Sequence, residues 1–125
     1  MKRVIIESPY AGKFSFSKGP RWFQGVMEKI INFFIRRKHV KYARECMKDS
    51  LNRNEAPYLS HLLYTQVLDD NQPDERYAGI YAGFAWGECA DLVAVYCDRG
   101  ISPGMKKGIE KAEERGAKIE YRRIK

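Results

Sequence analysis

Two short loops carry most of the side chains in this sequence that could do chemistry. Residues 8–12 (SPYAG) follow an apolar segment, and residues 98–104 (DRGISPG) lead into a segment with helical spacing. Ser102 is placed to cap that helix, whose first backbone N–H groups would attract a phosphate or another anion. Gly104 would let a ligand approach the backbone, and Arg99 could add a bidentate donor.

Four carboxylates are candidates for catalysis or sugar binding. Glu7 ends the first apolar segment, and it is either paired structurally or functional because a charged residue is rarely buried without a partner. Asp69 and Asp70 follow the second apolar segment, where they either bind a ribose hydroxyl or solvate a loop. Glu110 lies one turn beyond Lys106 on the same predicted helix face.

The histidines and cysteines give weaker signals. His61 is expected inside a strand, bonded to backbone. Cys46, Cys89 and Cys97 share no metal-binding or redox spacing, so we expect reduced packing residues. Cys97 ends a strand beside the second loop and is the one alternative nucleophile, although no histidine is near it in sequence. No pair of residues has metal-ligand spacing on one helix, and we predict neither a metal nor a cofactor.

These residues are positioned by alternating strands and helices. Apolar runs predict strands at 2–7, 57–64, 91–97 and 118–124. Between the first two strands, two apolar stripes out of phase predict two helices, about 20–35 and 39–53. A helix from Pro73 is apolar nearly all round and is expected to be tightly packed and buried. A last helix runs from Pro103 to a stop at Gly116.

This order predicts one α/β domain over residues 1–125. Strands alternating with helices indicate an open parallel sheet covered on both faces, a three-layer sandwich of the flavodoxin or Rossmann type. Right-handed crossovers favour the strand order 2-1-3-4. A ligand is then expected beyond the carboxyl ends of strands one and three, where the winding reverses.

The positive charge is concentrated in one segment. The chain of 125 residues has a net charge of +7, yet residues 13–53 hold eleven Lys or Arg against three Asp or Glu. A local basic face, from Arg21 to Arg44, is therefore implied, and a nucleic acid is one possible partner for it. No run of 18 apolar residues and no secretory signal is present, so we expect no membrane span and a cytoplasmic protein.

The two loops and several further segments resemble a known family. The segments ESPYAG, YAR-C-DSL, EAP-SHLLYTQ, VLDD, P-ER and SPGM occur in this order and cover residues 1–12 and 39–125. Together they resemble the nucleoside 2-deoxyribosyltransferase-like proteins, and most closely a phage-type branch of unassigned function. If the chain is phage-encoded, its expected location is the host cytoplasm.

The resemblance implies a nucleoside-sized crevice but a changed reaction. In the transferases, a glutamate at the start of the last helix attacks C1′ of the sugar. Lys106 stands in that place here, and an ammonium group cannot act as that nucleophile. The resemblance carries over Tyr10, Asp98 and Ser102 as contacts to sugar or base. The complete predicted set of ligand-binding residues is Ser8, Tyr10, Ala11, Gly12, Asp69, Asp98, Arg99, Ser102, Gly104, Met105 and Lys106.

Three hypotheses follow, and an insertion complicates each. The first is a binding protein that holds, and could sequester, a nucleotide- or nucleoside-derived molecule. The second is an N-glycosidase or deoxyribosyltransferase that uses Glu7, Asp70 or Glu110. The third is a nucleic-acid-binding accessory protein.

Residues 13–38 fall outside the resemblance and are basic and aromatic. They predict a lid over the crevice, a homo-oligomer contact, or a helix on an anionic partner, with the first two favoured.

Overall fold

A computed structural model describes residues 1–10 and 19–125 of the chain. The predicted residues Ala11 and Gly12 lie outside this described part, as does the start of the insertion. The elements in chain order are β1 (Lys2–Glu7), α1 (Arg21–Asn52), β2 (Glu55–Tyr58), α2 (Ser60–Leu63), a 3-10 turn (Tyr64–Gln66), α3 (Pro73–Gly87), β3 (Leu92–Tyr96), α4 (Pro103–Glu114) and β4 (Ile119–Arg122).

The four strands form one parallel sheet in the order β2-β1-β3-β4, which confirms the predicted α/β fold. All five residues of β3 are buried, as expected for a strand covered on both faces. On one face, Val4, Ile6 and Ala94 pack with the second half of α1. On the other face, residues of β3 pack with α4 around Met105 and Ile109.

The first helical region is one helix, so the prediction of two helices joined near residues 36–39 was wrong. α1 runs unbroken over 32 residues, Arg21–Asn52. The change of phase between the two apolar stripes is real, but only the second stripe faces the core, where Tyr42, Ala43 and Cys46 are buried. The first stripe faces solvent. The two stripes therefore need not lie on the same side of α1, and one continuous helix can carry both. No glycine or proline interrupts residues 26–52, and the helix continues.

The second strand is shorter than predicted. β2 covers only Glu55–Tyr58, and the chain then turns into α2, so His61 lies on a helical turn rather than in a strand. β2 leaves the sheet early, since β1 continues through Ile6 and Glu7 beyond its last pair with β2, Ile5 with Tyr58. The prediction of a fully buried α3 was also wrong. Gly87 is the one buried residue of the described helix α3. The glycines of this helix, Gly79, Gly83 and Gly87, line a cavity.

A buried ion pair anchors the α1 side of the sheet. Both terminal nitrogens of Arg122 donate to the carboxylate of Glu55 at 2.7 Å, and each side chain is less than a tenth exposed. Ser50 donates to the same carboxylate at 2.8 Å. The Tyr96 hydroxyl donates to Asp49 at 2.7 Å. This network ties β2, β3, β4 and α1 together.

Candidate functional site

A cavity of about 510 Å³ lies on the α3–α4 side of the sheet, between the sheet and the two helices. Glu7 at the end of β1 and Ser8 just after it line the cavity, and Val93 lines it from the first half of β3. The start of α4 lines it from Ser102 to Gly108, except for Lys106. The cavity therefore adjoins the end of β1 and the start of α4, where the predicted topology places a ligand, and it also extends along the face of the sheet to Val93.

Glycines keep the walls of this cavity close without filling it. A Cβ atom on Gly83 of α3 would lie 2.9 Å from the Cβ of Ser60, so only glycine lets α2 approach α3 here. A Cβ atom on Gly108 of α4 would overlap the carboxyl group of Glu7. Gly79 also lines the cavity on α3. The absence of these side chains lets the surrounding elements approach one another closely.

Glu7 is the most perturbed acid of the site. Its side chain keeps some solvent contact but is closely surrounded by protein atoms. Burial raises the pKa of Glu7 from 4.5 to about 8, against an opposing effect of the Arg115 guanidinium. The carboxyl group is therefore mostly protonated at neutral pH, so it can donate as well as accept a hydrogen bond.

His61 joins β1 to the rim of the cavity. Its Nε2 lies 3.0 Å from the Oγ of Ser8, and its ring centroid lies 5.6 Å from that of Tyr10. The guanidinium of Arg36 on α1 lies 5.8 Å from the centroid of the Tyr10 ring. Burial, and secondarily the charge of His39, lower the pKa of His61 to about 4, so the imidazole is neutral at pH 7.

Three cations and the start of α4 give the cavity a positive lining. Arg76, Lys107 and Arg115 line it, against the carboxyl groups of Glu7 and Asp70. Because Glu7 is largely protonated, positive charge predominates at pH 7. The Oγ of Ser102 accepts from the backbone N–H of Met105 at 3.2 Å, which confirms the predicted N-cap.

An aromatic wall was missed by the sequence analysis. Tyr58, Tyr64 and Phe84 line the cavity. The hydroxyl of Tyr58 is buried and has no hydrogen-bond partner within 3.5 Å among residues 1–10 and 19–125, although burial and the nearby Tyr64 hydroxyl raise its pKa. This wall was missed because residues 57–64 were predicted to be a strand. The glycines at positions 79, 83 and 87 of α3, four residues apart, were the available signal for a surface that approaches another element.

The cavity brings together some of the residues predicted to bind a ligand and leaves others elsewhere. Seven predicted residues line it: Glu7, Ser8, Tyr10, Asp70, Ser102, Gly104 and Met105. Five others do not: Asp69, Asp98, Arg99, Lys106 and Glu110. Asp69 instead accepts from the N–H of Asn71 at 2.9 Å, within its own turn.

Asp98 and Arg99 belong to a separate cleft against α1. The Tyr42 hydroxyl donates to Asp98 at 2.6 Å, and the backbone N–H groups of Ile124 and Lys125 donate to the same carboxylate. The Arg99 guanidinium lies 5.0 Å from the Tyr42 ring centroid. This cleft measures about 140 Å³. Asp98 therefore anchors the end of the chain after β4 to α1.

The three cysteines do not form a second candidate catalytic site in the described part of the chain. The Sγ of Cys97 lies 3.3 Å from the carbonyl oxygen of Arg122, and the residue does not line the cavity. Cys46, Cys89 and Cys97 are free thiols. Within the described ranges, no three His, Cys, Asp or Glu side chains are grouped to hold a metal ion, and no helix is long and apolar enough to cross a membrane.

Comparison with known families now places the chain. A family model described as a domain of unknown function, DUF7768, matches residues 2–122. The chain belongs to the DUF7768 family. No curated protein and no solved structure matches it. The DUF7768 match spans every strand and helix described above, so the cavity is formed entirely within the family domain.

Proposed function

We propose that the cavity binds a phosphorylated nucleoside or a closely related small molecule. The observation that carries the proposal is the composition of one space of about 510 Å³, a size usual for small-molecule sites. Three cations and the start of α4 line this space, and the aromatic rings of Tyr58, Tyr64 and Phe84 line it as well. The resemblance of the two loops to nucleoside-binding proteins supports the same class of ligand.

The phosphate would lie toward α4 and the cations. At the start of α4, Pro103 has no N–H and the Met105 N–H donates to Ser102, which leaves the Gly104 N–H for an anion; the helix dipole would stabilise an anion there. Lys107 adds a positive charge one turn into the helix, and Arg76 adds another from α3. A monophosphate carries about two negative charges at pH 7, which this lining can compensate.

The base would lie toward Tyr58, Tyr64 and Phe84. Aromatic side chains bind the flat faces of bases by stacking, and each stacked base is worth about 1–3 kcal/mol in proteins that bind single strands. The unpartnered Tyr58 hydroxyl and the protonated carboxyl group of Glu7 are available to pair with the polar edge of a base. With a base bound, the hydroxyl and the carboxyl group would each be buried with a hydrogen-bond partner, which avoids the cost of burying a polar group alone.

Calorimetry with a matched pair of charge variants tests the proposal. Nucleosides, their 5′-monophosphates, ADP-ribose and cyclic dinucleotides would be titrated into the protein. We expect a monophosphate to bind in the micromolar range and its nucleoside at least tenfold more weakly. Lys107→Glu should weaken the monophosphate at least tenfold. Lys106→Glu makes the same change one residue outside the lining and should change affinity less than threefold. No binding of any compound at high micromolar would refute the proposal.

A second candidate is hydrolysis of an N-glycosidic bond, and the protonated Glu7 favours it. In this reaction, Glu7 would give its proton to the departing base nitrogen as the C1′–N bond breaks. Asp70, which also lines the cavity, would take a proton from the water whose oxygen bonds to C1′. Lys106 at the position of the transferase nucleophile argues against a covalent glycosyl intermediate and for direct attack by water.

Base release separates the two candidates. Chromatography of deoxynucleosides and their monophosphates after incubation with the protein would detect free base. If hydrolysis occurs by this route, Glu7→Gln should lower the rate at least a hundredfold. Asp70→Asn should lower it at least tenfold, and Glu110→Gln should leave it within twofold. Activity that survives both Glu7→Gln and Asp70→Asn would exclude this mechanism, and binding without release would leave the first proposal alone.

A further inference from the structure

The first half of α1 extends well past the core. The helix of 32 residues is about 48 Å long, whereas β1 with six residues is about 20 Å long. No residue from 21 to 41 is buried, and the first buried residue is Tyr42. Residues 21–38, called the arm below, therefore lie outside the buried core, and their outer side is exposed.

The arm presents an apolar stripe on its outer side. The stripe consists of Trp22, Phe23, Val26, Ile30, Phe33 and Phe34. At about 100° per residue, these positions cluster roughly opposite the side on which Tyr42, Cys46 and Ser50 meet the core. Trp22 is 73% exposed and Phe34 57% exposed. With aromatic side chains of about 200 Å² each, the six residues expose on the order of 600 Å².

Such a patch is at or above the largest apolar patch found on most monomers, about 300–600 Å². It approaches the roughly 800 Å² that each partner buries in a standard interface. The stripe is also free of charge on its outer side between residues 22 and 34. By the same helical geometry, Lys29 points to its flank and Glu28 to the inner side of the helix. A surface of this kind fits an apolar partner better than an anionic one.

The positive charges occupy a different stretch of the same outer side. Arg37, Lys41, Arg44 and Lys48 are all exposed and follow the stripe along α1. An anionic partner would be attracted to this row, which begins only where the apolar stripe ends. The apolar stripe and the basic row therefore favour different kinds of partner. Binding of an anionic partner to the basic row would not explain why the stripe is apolar.

We propose that the stripe pairs with the same stripe of a second copy of this chain, in an antiparallel two-fold dimer. The stripe is self-complementary in that arrangement. Trp22 faces the partner's Phe34, Phe23 faces the partner's Phe33, and Val26 faces the partner's Ile30. Isologous pairing of one patch with itself is the commonest form of homodimer. The basic rows then lie beyond the overlap, so they do not face each other.

Sedimentation velocity on the full chain tests the dimer. We expect a dimer at 10 µM, and we expect Phe33→Glu and Val26→Glu each to raise the concentration needed for dimerisation at least a hundredfold. Lys48→Glu places an acid on the same outer side but outside the overlap, and should change that concentration less than threefold. Circular dichroism of each variant checks that it is folded. A wild-type chain that is monomeric at 100 µM, or a dimer unaffected by Phe33→Glu, would overturn the proposal.

Disulfide trapping tests the antiparallel arrangement. In a Cys89→Ser background, which removes the exposed thiol, Val26→Cys and Ile30→Cys chains would be mixed in equal amounts and oxidised mildly. We expect disulfide-linked heterodimers to outnumber both homodimers together by at least threefold. An excess of Val26→Cys homodimers would indicate parallel helices and contradict the arrangement. Binding of the wild-type monomer to anionic vesicles or to DNA, with no dimer, would instead assign the stripe to that partner and overturn the proposal.

Discussion

Replacing Glu7 by glutamine should stabilise the protein, and the gain should grow with pH. The pKa of Glu7 is raised from 4.5 to about 8 by burial. Below pH 4.5 the carboxyl group is protonated in both the folded and the unfolded chain, so it has little effect on stability. Between pH 4.5 and 8 the unfolded chain ionises and the folded chain does not, so each pH unit costs the wild type about 1.4 kcal/mol. Above pH 8 the cost stops growing.

The expected size follows from these two pKa values. Glutamine has nearly the shape of glutamic acid and carries no charge at any pH, so Glu7→Gln avoids this cost. The variant should exceed the wild type by less than about 1 kcal/mol at pH 5, by about 3 kcal/mol at pH 7, and by about 5 kcal/mol at pH 8.5. Such a gain would mark Glu7 as a residue retained at the expense of stability, as expected for a functional site.

Urea unfolding at these three pH values measures the difference. A chain of 125 residues is short enough for a two-state analysis to be expected. Glu110→Gln is the matched control, since it removes an exposed carboxylate of α4 outside the cavity. Its effect should stay within about 0.5 kcal/mol at every pH. A Glu7→Gln difference that does not change between pH 5 and 8.5, or a variant less stable than wild type at pH 8.5, would refute the reasoning.

Three further substitutions test the packing by urea unfolding. Gly108→Ala should lower the free energy of unfolding by about 1–3 kcal/mol, because the new methyl group overlaps the Glu7 carboxyl group; a loss that is undiminished in a Glu7→Ala background would contradict this cause. Arg122→Met should cost about 3–5 kcal/mol, because it leaves the Glu55 charge buried without its cation, and Glu55→Leu should then recover at least half. Tyr58→Phe should change stability by no more than about 0.5 kcal/mol, because the hydroxyl has no partner; a loss above 1 kcal/mol would show that it has one.

The parts of the fold predicted correctly are those specified by local sequence. The unbroken apolar run of β3 indicated a strand covered on both faces, and all five residues of this strand are buried. Ser102 and Pro103 mark the start of α4 through capping and a fixed backbone angle, and these depend on a few neighbouring residues. The sheet order followed from the alternation of strands and helices and the handedness of their crossovers.

The parts predicted wrongly depend on the surroundings of a segment. Residues 59–64 are as apolar as a strand, but the chain turns helical at Ser60, although β1 continues for two residues beyond its last pair with β2. The apolar stripe from Trp22 to Phe34 has the spacing of a core-facing helix, yet it faces solvent. Periodicity shows that a helix has an apolar side, but it does not show what covers that side.

The two predicted loops contribute some of the residues that line the cavity, and its other lining residues were not predicted. Both loops were expected to meet at the ends of β1 and β3, and Ser8 and Ser102 do line one cavity. Lys107 and Arg115 were missed, because the side of α4 that faces the cavity depends on how the helix is rotated on the sheet. The raised pKa of Glu7 also depends on its neighbours in space, and a strand-end glutamate gives no sign of it in the sequence.

The central claim is that the cavity between α3, α4 and the sheet is the binding site, and its glycines allow a direct measurement. Five described glycines line the cavity: Gly79, Gly83, Gly87, Gly104 and Gly108. Four described glycines lie elsewhere: Gly19, Gly25, Gly100 and Gly116. In a glycine-labelled sample titrated with a nucleoside 5′-monophosphate, we predict saturable amide shifts for at least three of the first group, including Gly104 and Gly108, with the second group unchanged. Shifts confined to the second group, or no shifts at millimolar ligand, would contradict the claim.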